Sequence, residues 1–406
     1  MFSKSQGKTA VVTKKSIKKD VKAPFDRRGL PSATSHLRSS SPVNRKRVQK
    51  PDWISELQVL NLASIPDLSP RKVKAVFLRL LASPNIAGKR QGSRQSARRH
   101  VGNAVLLRSS DAAPGAKETK LAMSVNKRGN GRYCYVNPYL GGVIAVSGSA
   151  RKLICSGAQP RSIAYKLTFS NPESVDVYYH LKECVAGMAR ACRTFKVPVI
   201  NDNISLHNKT KGKSIYPEPV IDMVGLINNV AQHCTRGFKN EGDLVYLLGD
   251  NSVVDSSIGA SEYLVLVHGM VKGNPHIDLE MEKQLQRCCL EGIRRGLIKS
   301  ACDCCEGGLA IALAESCASS GLGFTGSEWD MEGRLDAVLF GEAQSRIVVS
   351  IPPRTAWKLQ KLADRFKISA VKLGVVSAKR FVLKGYFDLP VKQIEEVWRG
   401  GIKKMS

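Results

Sequence analysis

The sequence is poor in aromatic residues and has no long apolar run. Only 6% of its 406 residues are Phe, Trp or Tyr. The longest apolar stretches, such as residues 307–314, fall far short of the roughly 18 consecutive apolar residues that a membrane-spanning helix needs. The sequence therefore predicts no membrane segment.

Cysteine is absent before Cys134, and no hydrophobic signal core follows Met1. All 11 cysteines come later, and several lie in apolar, helix-like runs, for example Cys184, Cys192 and Cys288. Unpaired cysteines in such positions are typical of a reducing compartment. We therefore expect a cytoplasmic protein.

Acidic residues are scarce at one end of the chain. The whole sequence has 63 Lys and Arg against 34 Asp and Glu, a net charge of +29, yet residues 1–130 hold 28 of the basic residues and 7 of the acidic ones. Residues 1–50 have almost no periodic apolar residues, so we expect a disordered basic tail. Such a tail is compatible with binding nucleic acid or another polyanion, with targeting, and with simple solvation.

Residues 51–104 are predicted to form a helical linker followed by an irregular basic segment. Apolar residues recur at helical spacing in the first part, for example Phe77, Leu80 and Leu81, whereas residues 91–117 have no clear period. From Leu121 onward, strand and helix patterns alternate. This alternation predicts an α/β (α+β) protein with two domains, residues 105–235 and 236–406.

The predicted elements of these domains follow from periodicity, caps and turn residues. Strands are expected at residues 122–125, 132–136, 199–200, 219–227, 242–249, 346–351, 371–376 and 381–386. Helices are expected from about Pro172, after an Asn171 cap, and at 280–295, 309–316, 354–366 and 391–399. Residues 201–205 are predicted to form a polar loop.

Two familiar kinds of site can be set aside. The strings at residues 7–9 and 212–214 resemble the end of a phosphate loop, but the required glycine five residues earlier is Phe2 in one case and His207 in the other. Cys302 and Cys305 have the spacing of a metal-binding pair, but no second pair completes a four-ligand zinc site. Buried thiols are the preferred interpretation.

Two other segments offer polar groups to a ligand. Asn203 and Ser205 follow a buried strand, where an amide oxygen and a hydroxyl can bind a hard cation or phosphate oxygens, although a plain polar turn also explains them. Residues 303–308 place a glycine pair at a helix start, whose backbone N–H groups favour an anion such as phosphate. A helix entry that needs small residues for close packing is the alternative.

Five strings of residues carry a family resemblance. They are LLASPNIA at residues 80–87, NPYLGGV at 137–143, CSGAQP at 155–160, GGLAIALAES at 307–316 and QSR at 344–346. Together they closely resemble the C-terminal half of phosphoribosylformylglycinamidine synthase, in order from about Pro51 to about Gly400, with a gap near residues 91–110.

The resemblance implies a fold and a reaction. The fold would be two domains similar to those of aminoimidazole ribonucleotide synthetase, the first with a sheet that pairs with an equivalent sheet to form a shared barrel. The family converts formylglycinamide ribonucleotide to its amidine in purine synthesis, using ATP, Mg and ammonia from glutamine. Such chemistry depends on placing triphosphate, metal and substrate.

The resemblance also assigns residues. The family's Gly-Gly-Asn-Val-Ser loop corresponds to residues 201–205, so Asn203 would be the metal ligand and Ser205 the substrate contact. Asp202 stands where the family has a glycine against ATP, and Tyr165 stands where it has an ATP-contacting Asp. Both substitutions predict weak ATP affinity. Further departures from the family's residues are Cys302, Gly341, Ala343 and the Lys127-Arg128 pair.

No catalytic residue is implied for this chain, because the family's proposed catalytic histidines and acidic Mg ligands lie in an N-terminal half with no counterpart among these strings. We therefore expect activity only with a partner, either a second copy or a separate subunit that supplies the N-terminal half or the glutaminase. Exposed strand edges in the first domain favour a homodimer or a tight heteromer. The alternative is a non-catalytic homologue whose residues 1–50 bind nucleic acid or another polyanion.

Overall fold

A computed structural model describes residues 49–88, 100–101, 104–105, 122–128, 130–206, 208–210, 213–251, 255–326 and 333–401. The predicted tail at residues 1–50 lies almost wholly outside this part of the chain, as does most of the irregular segment at 91–117. The described residues form two sheets with helices packed against them.

The first sheet has six strands in the order β1-β2-β3-β8-β4-β5, and all neighbours are antiparallel except β4 and β5. The strands are β1 (His100–Val101), β2 (Ala104–Val105), β3 (Ala122–Arg128), β4 (Gln159–Thr168), β5 (Val199–Ser205) and β8 (Glu218–Ile227). The helices of this domain are α3 (Gly131–Val136), α4 (Pro138–Cys155) and α5 (Val175–Phe195). A separate two-stranded sheet joins β6 (Lys209–Thr210) to β7 (Lys213–Ser214).

The second sheet has seven strands in the order β10-β12-β9-β13-β11-β14-β15, with β11 and β14 parallel. Its strands are β9 (Leu244–Gly249), β10 (Ser300–Asp303), β11 (Gly323–Gly326), β12 (Arg346–Ile351), β13 (Ser369–Ser377), β14 (Arg380–Leu383) and β15 (Phe387–Pro390). Its helices are α6 (Glu262–His268), α7 (Leu279–Arg294), α8 (Gly308–Ser320), α9 (Leu335–Phe340), α10 (Ala356–Phe366) and α11 (Val391–Gly400).

The first sheet buries only one of its faces. Along β8, buried residues alternate strictly with half-buried ones, and the buried set, including Ile221 and Met223, packs against α4 and α5. The alternate residues, Val220, Asp222, Val224 and Leu226, belong to the opposite face and remain half-exposed. This face is therefore only partly covered by the described residues.

Helices α4 and α5 cross at unusually close range because glycines lie at the crossing. A Cβ on Gly142 would be 2.2 Å from the Cys184 carbonyl oxygen, and a Cβ on Gly187 would be 1.9 Å from the Tyr139 carbonyl oxygen. Any larger residue would push the two backbones apart. The glycines of residues 137–143 are therefore explained by packing.

Two local predictions from the sequence are wrong. Residues 132–136 form helix α3 and not a strand, because Asn130 accepts a hydrogen bond from the Arg132 amide and so caps a helix there. Helix α5 begins at Val175 with Ser174 as its cap, whereas the predicted cap, Asn171, holds a turn by accepting from the Glu173 amide at 3.0 Å.

Residues 49–88 contribute directly to the core of the second domain. The helices α1 (Asp52–Gln58) and α2 (Val73–Leu81) lie here, and Phe77, Leu80 and Leu81 of α2 are fully buried in the cluster that also holds α8 and α11. The Trp398 indole N–H of α11 donates to the Ile86 carbonyl at 3.1 Å. This segment is thus joined to the C-terminal helix.

Candidate functional site

The predicted polar loop at residues 201–205 is part of an edge strand. These residues lie in β5, the last strand of the first sheet, and pair in parallel register with β4. An edge strand tolerates polar side chains because one of its flanks faces water. The loop prediction is wrong because polar composition concealed the backbone pairing with β4.

Tyr165 and Asp202 lie side by side, since they are Cα partners across β4 and β5 and therefore share a face of the sheet. Tyr165 is only 4% exposed and belongs to the domain core, whereas Asp202 is half-buried. Burial, and then the negative charge of Asp202, raise the pKa of Tyr165 above its ordinary value. The pair is a protonated phenol beside a carboxylate.

Asn203 and Ser205 occupy the next positions of β5. The Asn203 side chain is exposed, and Ser205 is half-buried with its hydroxyl 3.3 Å from Asn208 Oδ1. Asn208 Nδ2 donates to the carbonyl oxygens of Ser205, at 2.9 Å, and of Phe169, at 3.0 Å. Asn208 thus ties the ends of β4 and β5 together and fixes the Ser205 backbone.

The surroundings of Asn203 bear on the predicted metal role of this residue, which stays a prediction. Within the part of the chain that the structure describes, no group of three or more His, Cys, Asp or Glu side chains is arranged to hold a metal ion. On the face of β5 that carries Asn203, this residue and Ser205 offer two neutral side-chain oxygens to a cation, fewer than the six ligands that Mg²⁺ takes in its octahedral shell.

A cleft lies where the two domains meet. One wall is Tyr133 of α3, and the others are loops of the second domain. Its polar lining consists of Tyr133, Asp250, Ser256, Ser257, Asn274, His276, Asp278, Glu342, Gln344 and Ser345. None of the described lining residues is a Lys or Arg, so the cleft is rich in hydroxyl, amide and carboxylate oxygens.

Glu342 organises one side of this cleft. Its Oε1 accepts from the Glu262 amide at 2.8 Å and from the Gly307 amide at 2.9 Å, and its Oε2 accepts from the Tyr133 hydroxyl. Burial raises the pKa of Glu342, while the positive charge of Arg132 lowers it. One carboxylate thus joins α3, α6 and the entry to α8.

The helix start at residues 303–308 is therefore satisfied from within the protein. The sequence left both an external anion and a close-packed helix entry open there, and the acceptor at the Gly307 amide is the carboxylate of Glu342. Gly307 and Gly308 both have positive φ values, of 80° and 72°, and a Cβ on Gly308 would lie 2.6 Å from the Gly341 carbonyl oxygen. The close-packed helix entry is the correct interpretation.

A buried ion pair extends the same network to residues 49–88. Arg132 pairs with Glu262 and also donates through Nε to the Ala260 carbonyl at 3.1 Å. The other contacts of Glu262 come from the Ser83 hydroxyl and from Asn85 Nδ2, the latter at 2.9 Å. The LLASPNIA string thus anchors the N-terminal segment to both domains.

A second buried ion pair lies at the other end of the cleft. Arg151 of α4 pairs with Glu282 of α7 at 2.6 Å, and both side chains are 0% exposed. Arg151 also donates to Gln344 Oε1 at 3.1 Å, and the Ser345 hydroxyl donates to Glu282 at 2.7 Å. These contacts hold the loop at residues 342–345, which forms part of the lining of the cleft.

The cysteines behave as buried thiols. Ten of the 11 are buried, and only Cys305 is partly exposed. Burial raises the pKa of Cys302, and it raises the pKa of Cys304 to about 11. A smaller cleft, lined in part by Cys155, Cys234 and Cys302, lies behind β10, and the absence of a metal-holding group among the described residues applies here as well.

Sequence reasoning identified the strand-end residues but missed Tyr133, Glu262 and Glu342. The only signal for Glu342 was its place two residues before the QSR string. Its partners lie 35 to 209 residues away in sequence, so no local pattern could pair them.

Two family models match the chain. The N-terminal domain of AIR synthase related proteins matches residues 104–227, and the C-terminal domain of the same proteins matches residues 240–384. Both domains are therefore represented in order.

Curated relatives match almost the whole chain. The phosphoribosylformylglycinamidine synthase subunit PurL of Caldanaerobacter subterraneus subsp. tengcongensis is 37% identical over 99% of this chain and 58% of its own length. That of Alkaliphilus metalliredigens is 38% identical over 90% of this chain and 50% of its own length. The chain thus spans about half the length of these relatives, and the first match takes in most of residues 1–50.

Solved structures share the fold. Thermotoga maritima PurL complexed with ADP matches with a TM-score of 0.62 and 19% identity, over 80% of this chain and 51% of that one. The same protein complexed with FGAR matches with a TM-score of 0.61 and 17% identity, over 85% of this chain and 55% of that one. The predicted α/β fold with two such domains is confirmed.

Proposed function

Because this chain belongs to the phosphoribosylformylglycinamidine synthase family, we propose that it supplies one half of an ATP-dependent ligase of purine synthesis. The reaction would convert formylglycinamide ribonucleotide and ammonia from glutamine to the amidine. The observation that carries this proposal is the similarity over 99% of the chain, with both AIR synthase related domains in order. A cytoplasmic location, where purine precursors are made, is also consistent with the 11 cysteines, none of which forms a disulfide.

The cleft between the domains is our candidate for the ribose and amide part of the substrate, since the described residues of its lining offer no Lys or Arg to the phosphate. Its hydroxyl and amide groups, such as Ser256, Asn274 and Gln344, suit the ribose hydroxyls and the amide of a ribonucleotide. Arg151 would hold Gln344 in place through their hydrogen bond. The role of this chain in such a reaction is therefore to bind and orient.

ATP and Mg fit the described residues less well. Ser205 would contact substrate and Asn203 a metal. The face of β5 that carries them provides only neutral oxygens, and Asp202 adds negative charge where a nucleotide phosphate would lie. Tyr165 is buried and cannot replace the carboxylate that the family has at its position. We derive no step through the metal, whose remaining ligands would have to come from a partner or from the nucleotide.

A partner is the second part of the proposal. The half-exposed face of the first sheet carries Val220, Val224 and Leu226, which would be covered by an equivalent sheet from another copy or from a separate subunit. Light scattering of the full chain at micromolar concentration tests this proposal. A dimer is expected for the chain alone, and a monomer that stays monomeric with a glutaminase or N-terminal-half subunit would refute it.

A non-catalytic homologue is the second candidate, and the juxtaposition of Tyr165 and Asp202 favours it. Calorimetric titration of Mg-ATP into the full chain separates the two candidates, with Asp202→Gly and Asp202→Asn alongside. Asn removes the charge and keeps the size, so it distinguishes repulsion from crowding.

The outcomes are distinct. Saturable binding by the natural chain supports the ligase. Binding by Asp202→Gly alone supports a retained fold with a disabled nucleotide site. Failure of all three proteins to bind, with circular dichroism showing that they are folded, would refute a nucleotide site in this chain by itself.

A further inference from the structure

The exposed face of α10 carries basic side chains at helical spacing around a tryptophan. We call this face the α10 stripe, and it consists of Arg354, just before the helix, and Trp357, Lys358, Lys361 and Arg365. The last four residues follow Arg354 by three, four, seven and eleven positions, which places all five on one side of a helix. All five are exposed. The stripe is about 16 Å long at 1.5 Å per residue.

Folding of the second domain does not require this face. The opposite side of α10, with Leu359, Leu362, Ala363 and Phe366, fills the core beneath the helix. Trp357 takes no part in that core and is 57% exposed. A large aromatic side chain is thus kept at the surface, among positive charges.

Two lysines of the stripe lie close to the tryptophan ring. Lys361 Nζ lies 5.1 Å from the centre of the Trp357 ring and Lys358 Nζ lies 5.4 Å from it. In the part of the chain that the structure describes, no carboxylate pairs with Arg354, Lys358 or Lys361, whereas Arg365 and Arg295 share Glu291. Three cations on the stripe are therefore available to an anionic partner.

The neighbouring helix extends the positive surface. Helix α7 packs beside α10 and contributes Arg287, which is exposed and lies 5.3 Å from the centre of the Phe366 ring. Across residues 279–299 and 354–372 there are 11 Lys and Arg against four Asp and Glu, and one of the four, Glu282, is buried with Arg151. The excess charge is concentrated on this side of the domain.

From this geometry we propose that the α10 stripe binds single-stranded nucleic acid. Arg354, Lys358 and Lys361 would contact successive phosphates and release their counterions. As the two lysines move from the Trp357 ring to the phosphates, the ring would stack on a base. An acidic peptide would satisfy the cations but would leave the tryptophan without its preferred partner. The stripe lies outside the interdomain cleft and outside residues 1–50, so the proposal is independent of the proposed ligase function.

Fluorescence anisotropy of a labelled 20-nucleotide oligothymidylate, titrated with the full chain at several salt concentrations, tests the proposal. A Lys358→Ala, Lys361→Ala double variant should weaken binding at least tenfold, and its slope of log affinity against log salt should be shallower by about 1.4, since each phosphate contact on a single strand contributes about 0.7. The matched control is Lys379→Ala with Lys392→Ala, two other exposed lysines of the same domain.

The tryptophan gives a second, charge-independent readout. Trp357→Ala should weaken binding about tenfold with an unchanged salt slope, and Trp357→Phe should restore much of the loss because Phe can also stack. Equal affinities for the stripe and control variants would overturn the proposal and assign any binding to the rest of the basic chain. Binding to vesicles with anionic lipid, without binding to the oligonucleotide, would overturn it in favour of a membrane surface.

Discussion

Removal of the Glu342 carboxylate should destabilise the protein by an amount that its contacts predict. In Glu342→Ala, the amides of Glu262 and Gly307 and the Tyr133 hydroxyl lose their acceptor, and all three are buried. A buried donor left without a partner costs about 1–3 kcal/mol, so three of them cost about 3–9 kcal/mol. The desolvation of the carboxylate, which its raised pKa reflects, is recovered, and we expect a net loss of about 3 kcal/mol.

Glu342→Gln separates charge from hydrogen bonding. The amide oxygen can still accept from both backbone N–H groups, and the Tyr133 hydroxyl can accept from the new amide nitrogen. We therefore expect a loss below about 1 kcal/mol. Urea unfolding, followed by circular dichroism and tryptophan fluorescence, measures the unfolding free energy of the natural chain, Glu342→Ala and Glu342→Gln. The control is Glu395→Ala, which removes a surface ion pair with Arg399.

The raised pKa of Glu342 predicts how the contribution of this residue to stability changes with pH. Because the pKa of Glu342 is raised in the folded protein, the folded state binds a proton more tightly than the unfolded state, whose Glu has a pKa of about 4.3. The contribution of Glu342 to stability is thus fully present below that value and declines as pH rises through the folded pKa. The difference in unfolding free energy between the natural chain and Glu342→Gln should fall over this window. A Gln variant as unstable as the Ala variant, or an Ala variant as stable as the control, would refute the reasoning.

Three further predictions concern packing and thiols. Arg151→Met leaves Glu282 charged and buried without its partner, so the unfolding free energy should fall by about 3–5 kcal/mol, measured by urea unfolding. Gly187→Ala forces α4 and α5 apart and should lower the thermal midpoint by several degrees, measured by circular dichroism. A chromogenic disulfide reagent should modify one thiol quickly, that of Cys305, and the other ten slowly, because they are buried.

Each of these predictions has a control and a contrary result. For Arg151→Met the control is Arg380→Met, which breaks an exposed pair with Asp388 and should cost little; equal losses would contradict the burial argument. For Gly187→Ala the control is Gly400→Ala, where a Cβ meets nothing within 4 Å. An unchanged thermal midpoint in both variants would contradict the close crossing of α4 and α5. More than one rapidly modified thiol would contradict the arrangement of the cores.

Much of the fold could be predicted from periodicity, and much of the site could not. Helix α7 was expected at residues 280–295 and lies at Leu279–Arg294, because its amphipathic pattern and its Asp278 cap are local signals. Residues 132–136, rich in Tyr and Val, suggested a strand, and only the cap at Asn130 reveals the helix. Strand propensity is weak wherever a cap and tertiary packing oppose it.

The site depends on pairs that are distant in sequence. The sequence indicated Asn203, Ser205 and Asp202 through a family resemblance, and their proposed roles remain predictions. Glu342 gave no comparable signal, because its acceptor role exists only when α3, α6 and the start of α8 have come together. A resemblance can locate a strand end, but it cannot show which buried carboxylate accepts the hydrogen bonds of a helix start.

The contact between Ile86 and Trp398 has a consequence for synthesis of the chain. The two residues are 312 positions apart, and at about 5–20 residues per second a ribosome needs about 15–60 s to make the intervening sequence. During that time the apolar face of α2, with Phe77, Leu80 and Leu81, cannot obtain the packing that α11 provides. The core around α2 is therefore completed only after α11 has been made.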